Sequence, residues 1–159
     1  MYCKITSIVA IAVIAFGCSS NSTNTVKTNT QHTACYYSNS SIKEQSESIY
    51  QKAVQIIKRT NNNFDCEANK LFIDSAFLGN PSALLKLCLM NLPNASPDAY
   101  IEKGYAWCLM GLNIVKGIEH NKESKFRSTL LKYEGVISPK QKKIALRAAE
   151  AIGRKMICK

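Results

Sequence analysis

Histidine, proline and glycine are scarce in this chain, and so is acid. Its 159 residues hold 2 His, 4 Pro, 7 Gly and 11 Asp+Glu, the last set against 21 Lys+Arg. The two histidines, His32 and His120, stand alone, with no HxxxH or CxxC spacing anywhere. No metal or cofactor site is therefore expected. No glycine-rich phosphate loop and no G-x-S-x-G occurs, and Glu102, Glu119, Glu123 and Glu134 make no paired-carboxylate motif. A catalytic centre is not expected, and neither histidine sits where it would activate a cysteine nucleophile. No apolar run approaches the roughly 20 residues of a spanning helix. The low Pro and Gly content and 46% hydrophobic residues exclude a low-complexity chain and leave room for one packed domain.

What is present begins at the N-terminus. Lys4 precedes Ile5–Phe16, a 12-residue uncharged stretch interrupted only by Thr6 and Ser7. That is the length of a signal-peptide hydrophobic region. Ala15-Phe16-Gly17-Cys18 resembles the lipobox of bacterial lipoproteins. The resemblance implies cleavage after Gly17, a diacylglycerol on the Cys18 thiol, and acylation of the new amine. Several acyl chains give stable anchoring, each buried CH₂ contributing roughly 0.8 kcal/mol. By resemblance to enteric lipoproteins, Ser19 rather than Asp after the cysteine implies the outer membrane, facing the periplasm. Residues 19–34 are mostly Ser, Thr and Asn, with Val26 the single β-branched aliphatic. Such a segment cannot bury enough apolar surface to order itself, and would reach about 20–25 Å as a flexible tether. The expected organisation is a signal peptide over 1–17, a lipidated tether over 18–39 and a helical domain over 40–159.

From Ser40 onward strand signals nearly vanish and the apolar residues recur at helical spacing. Ile42, Ile49, Tyr50, Ala53, Val54 and Ile57 share a face, ended by Arg59-Thr60-Asn61-Asn62-Asn63. Ala68, Leu71, Phe72, Ser75 and Ala76 form a second face, and Gly79-Asn80-Pro81 stops it and starts the next. Leu84, Leu87, Cys88 and Leu92 follow. Ser96 and Pro97 read as N-cap and first residue of a helix from about Asp98 to Val115. A shorter helix is expected over about Lys122–Tyr133. The last opens at Ser138-Pro139-Lys140-Gln141, with capping-box spacing. Six helices on short loops predict an all-α fold of antiparallel neighbours.

Ala68-x-x-Leu71-Phe72, Ser75-Ala76, Gly79-Asn80-Pro81-x-Ala83, Leu87 and Met90 resemble a Sel-one-like (tetratricopeptide-like) repeat. Lys103-Gly104-Tyr105-Ala106-Trp107 continues the register. Leu130-Leu131 through Ala149 resembles the helices that close such arrays. The likeness covers about 66–157 and departs from the family at Cys88, where Gly is usual, and at Gly104, where Ala is usual. It implies a short α/α-hairpin solenoid that binds protein. Resemblance also implies two alternatives: a periplasmic immunity protein that neutralises a delivered toxin, or a binder or hydrolase of cell-wall or β-lactam compounds. Trp107 and Tyr105 read as helix core rather than as a ligand platform.

Five of the seven cysteines belong to the exported body: Cys35, Cys66, Cys88, Cys108 and Cys158. In an exported chain these are disulfide candidates, and five is odd. A turn centred near residue 95 sets Cys88 opposite about residue 101. Cys108 then lies about 10 Å of helix away, beyond disulfide reach. Cys35–Cys66 and Cys108–Cys158 are the pairings expected instead. The charge is uneven: 116–159 carries 12 Lys+Arg and 4 Glu, a net +8. Lys140, Lys142, Lys143 and Arg147 cluster at the start of the last helix as a candidate partner-binding patch. Nucleic acid is the default partner of a basic domain, but export removes it. An acidic protein, anionic lipid headgroups or the anionic cell-wall polymer fit better.

Overall fold

Asn39 begins the ordered helices by accepting the Ile42 N–H on its side chain at 3.1 Å. The computed structural model describes residues 36–92 and 100–156. Helix α1 spans Ser40–Thr60, α2 Cys66–Phe77, α3 Pro81–Met90, α4 Ile101–Val115, α5 His120–Glu134 and α6 Pro139–Lys155. The fold is all-α, with no strand among the described residues. The expected Ser96 cap and Pro97 lie outside those residues, and α4 as described opens at Ile101 after an uncapped Tyr100.

The breaks have local causes. Helix α1 ends on Asn61, which takes the left-handed conformation (φ 49°) that asparagine tolerates. Gly79, at φ 86°, ends α2. Asn80 then caps α3, accepting the N–H groups of Ser82 and Ala83 at 2.9 and 3.3 Å, with Pro81 at the first helical position. The capping box of α6 is formed: Gln141 N–H donates to Ser138 Oγ at 3.3 Å, and Ser138 N–H to Gln141 Oε1 at 3.0 Å.

Packing follows chain order. Helix α1 lies on α2, α2 on α3 and α3 on α4; α4 carries both α5 and α6, and α5 also reaches α3. Small side chains permit close approach. Ala53, Ala68 and Ala76 are fully buried, and Ser75 Oγ donates to the buried Ser46 carbonyl at 2.7 Å. Aromatic rings fill the gaps between helices. Tyr50 and Phe72 lie 5.5 Å apart, Phe77 and Trp107 5.9 Å, and Tyr105 and Tyr133 6.0 Å. Trp107 and Tyr105 are buried as core, at 9% and 3% exposure.

Two glycines on α4 exist because aromatic rings of α5 occupy the space their Cβ atoms would need. The Phe126 ring sits over Gly111, and the Tyr133 hydroxyl sits over Gly104. Tyr133 is fully buried and its hydroxyl passes Gly104 to donate to the Cys88 carbonyl on α3 at 2.6 Å. Burial pushes the Tyr133 phenol well above its ordinary pKa. One side chain thus ties α3, α4 and α5 together.

Tyr36–Ser38 form a helical turn, although composition assigns them to the tether. Tyr36 is 4% exposed, rests on Gly79, and donates to Glu47 at 3.0 Å. Tyr37 donates to Glu119, 82 residues on, at 2.5 Å. The two rings meet edge to face at 5.0 Å. This clasp spans the α2–α3 and α4–α5 turns.

Candidate interaction surface

The cysteines correct one expectation. Cys88 and Cys108 are bonded to each other, with Cα atoms 5.0 Å apart, so the expected Cys108–Cys158 pairing does not form. The error lay in the centre of the hairpin. The register of α3 against α4 centres on residue 98, midway between Cys88 and Cys108, and not near residue 95. Asn91 on α3's C-terminal side faces Gly104, where an added Cβ would come within 2.6 Å of Asn91 Cβ. That register brings Cys108, one turn further along α4, level with Cys88. Both cysteines are fully buried. Cys66 is also disulfide-bonded. Cys35 and Cys158, and the lipidation candidate Cys18, lie outside the described residues, as does His32.

The basic patch survives with a changed membership. Lys142 Nζ sits between the carboxylate oxygens of Glu134 at 2.6 and 2.7 Å, and Tyr105 donates its hydroxyl to the same carboxylate. The hydrogen bond from Lys142, then that from Tyr105, holds the Glu134 carboxyl below its usual range. The Glu134 carboxylate in turn raises the Lys142 ammonium. Lys142 is therefore committed to a surface ion pair within the chain. Lys140, Lys143 and Arg147 are exposed on α6, and Arg154 and Lys155 extend the row. None of these five is in an ion pair; the three ion pairs among the described residues are Glu119–Lys122, Glu123–Arg127 and Glu134–Lys142.

A second surface, missed in the sequence, runs along the outer side of α5. Lys116, Gly117, His120, Glu123, Ser124, Arg127, Ser128 and Leu131 line a shallow open depression of about 610 Å³. Leu131 at its rim is 74% exposed, more than any other large apolar side chain described. Glu123 is pinned there: it accepts the Gly117 N–H at 2.9 Å and the Arg127 guanidinium at 2.7 and 3.0 Å. The Gly117 bond first, then Arg127, keeps its carboxyl below the usual range. At the head of α5, burial raises the Glu119 carboxyl, but Lys122 at 2.6 Å and Tyr37 outweigh it, so its pKa is lowered. The i, i+3, i+4 spacing of Ser124, Arg127, Ser128 and Leu131 was readable as a face. Its exposure was not, because Leu130-Leu131 reads as core.

Among the described residues no three His, Cys, Asp or Glu side chains come together as metal ligands, and no helix is long and apolar enough to cross a membrane. No family model matches the chain, and no curated protein or solved structure resembles it significantly.

Proposed function

We propose that this chain is a non-catalytic bacterial lipoprotein of the cell envelope, held through Cys18 and a tether, whose short hairpin-repeat body binds another protein. The observation that carries the binding role is the outer face of α5. A leucine 74% exposed stands beside hydroxyls, a histidine and a pinned Glu123–Arg127 pair. Apolar contact ringed by ordered polar groups is the composition of a protein interface. The lipobox-like Ala15–Cys18 and the Ser/Thr/Asn-rich stretch behind it support the anchor. The stacking of α1 to α4 in chain order supports the repeat reading.

The test is co-purification of the full chain from detergent extracts at physiological salt. A discrete protein is expected to be retained by the wild type, lost with Leu131→Asp, and kept with Lys52→Asp on the exposed side of α1. Equal retention by both variants, or no partner at all, contradicts the binding reading. The anchor is tested separately: Cys18→Ser should abolish the acyl mass and release the protein to the soluble fraction.

A further inference from the structure

The unpaired cations of α6 form a pattern that the α5 surface does not use. At 100° per residue, Lys140, Lys143, Arg147, Arg154 and Lys155 fall within a sector about 120° wide, on a row about 22 Å long. All five are exposed. Ile144, 47% exposed, lies in the same sector, and Leu146, also 47% exposed, flanks it. The buried face of the helix, centred on Ala145 and Ala149, is the opposite one, against α4. Only one acid, Glu150, borders the row. The carboxylates that might have neutralised it are spent on Lys122, Arg127 and Lys142.

We propose that this face docks the helical body onto a membrane surface rich in anionic phospholipid headgroups. The shape and chemistry of the row favour that occupant over an acidic protein. Protein-interface cores are depleted of charge, and this row is five unpaired cations around one half-exposed isoleucine. It lies along the exposed side of one helix, which suits a planar array of phosphates. Each Lys or Arg near an anionic surface improves binding about fivefold, so five cations give a strong preference over neutral lipid. Ile144 adds a shallow apolar contact at the centre. The inference rests on the envelope reading only for proximity: a tether that reaches about 20–25 Å keeps α6 within range of the bilayer, so weak docking suffices.

The experiment uses the full chain, purified from membranes and reconstituted in nanodiscs of phosphatidylcholine alone or mixed with phosphatidylglycerol. Ile144→Trp supplies the reporter, with the buried Trp107 as constant background. The expected result is a blue shift and quenching by brominated acyl chains in the anionic discs only, reversed by high salt. Replacing Lys140, Lys143 and Arg147 together with Gln should lower the ratio of docked to undocked protein about 100-fold. Lys125→Gln with Lys132→Gln on α5 should leave it nearly unchanged, as should Lys142→Gln. Equal signals in neutral discs, or a signal that survives the triple replacement, overturn the proposal. A shift induced by polyglutamate and not by anionic discs overturns it in favour of an acidic protein. The intact mass of the same preparation reports acylation independently, so loss of the lipid anchor is distinguishable from loss of docking.

Discussion

Gly104→Ala sets two effects of opposite sign against each other. Gly104 lies inside α4, and helix propensity alone predicts that alanine stabilises by about 1 kcal/mol. The packing predicts the reverse. An added Cβ would overlap the Tyr133 hydroxyl and come within 2.6 Å of Asn91 Cβ and 2.7 Å of Tyr133 Cζ. Tyr133 cannot swing away, because it is fully buried and its hydroxyl is bonded to the Cys88 carbonyl. Overpacking of a tight core costs about 1–3 kcal/mol. A displaced hydroxyl that leaves the Cys88 carbonyl without its partner costs about 1–3 kcal/mol more. After the propensity gain the net is a destabilisation of about 1–5 kcal/mol. Tyr133→Phe alone should cost about 1–2 kcal/mol, while also removing the nearest of the colliding atoms. The double variant should therefore be less destabilised than the two singles predict, by about 1–2 kcal/mol of coupling. Urea unfolding followed by circular dichroism, with the Cys88–Cys108 bond intact in all four proteins, measures the cycle. A Gly104→Ala protein as stable as wild type or more so, or strict additivity, would refute the packing account.

Three further outcomes follow from the same geometry. The Cys88–Cys108 bond closes a segment with a sequence separation of 20, so replacing both cysteines with Ala should lower unfolding stability by about 3 kcal/mol; equality with the wild type in urea would show that the bond contributes nothing. Burial first, then Glu47 for Tyr36 and Glu119 for Tyr37, raises the phenols of Tyr36 and Tyr37, as burial does for Tyr133. Their contribution is complete below the ordinary value of 10.0 and is lost as pH climbs from there toward the folded values. Ionisation of these three phenols should accordingly coincide with loss of helix above pH 10.0, and complete ionisation of all tyrosines in a still-folded protein would contradict this. Asn80→Ala removes the acceptor for two N–H groups at the head of α3 and should cost about 1–2 kcal/mol, read as a lower melting temperature; an unchanged melt would mean that Pro81 alone starts the helix.

The helices were readable because their signals are local. Apolar spacing at Ala68, Phe72, Ser75 and Ala76, the Gly79-Asn80-Pro81 break and the Ser138–Gln141 box each depend on a few neighbouring residues, and each element is present. The basic row was readable too, since Lys140, Lys143 and Arg147 lie within eight residues of sequence. What escaped depends on distance along the chain. The Cys88–Cys108 pairing needed the register of α3 against α4, and a turn position assumed three residues too early displaces the partner by about two helical turns. Lys142 reads as one more surface cation until Glu134, across the α5–α6 turn, is seen to hold it. Tyr36 and Tyr37 follow a polar segment with nothing local to show that they anchor on Gly79 and Glu119. Gly104 reads as a weak helix residue and acquires its reason only from Tyr133, 29 positions on.

Site-specific photo-crosslinking in intact cells tests the central claim most directly. A photoreactive residue placed at Ser124, Ser128 or Leu131 on α5 should give the same single protein adduct. The same residue at Gln51 or Gln55, on the exposed side of α1, should give none. Adducts spread equally over both helices, or absent from α5, would contradict a protein-binding role for this face.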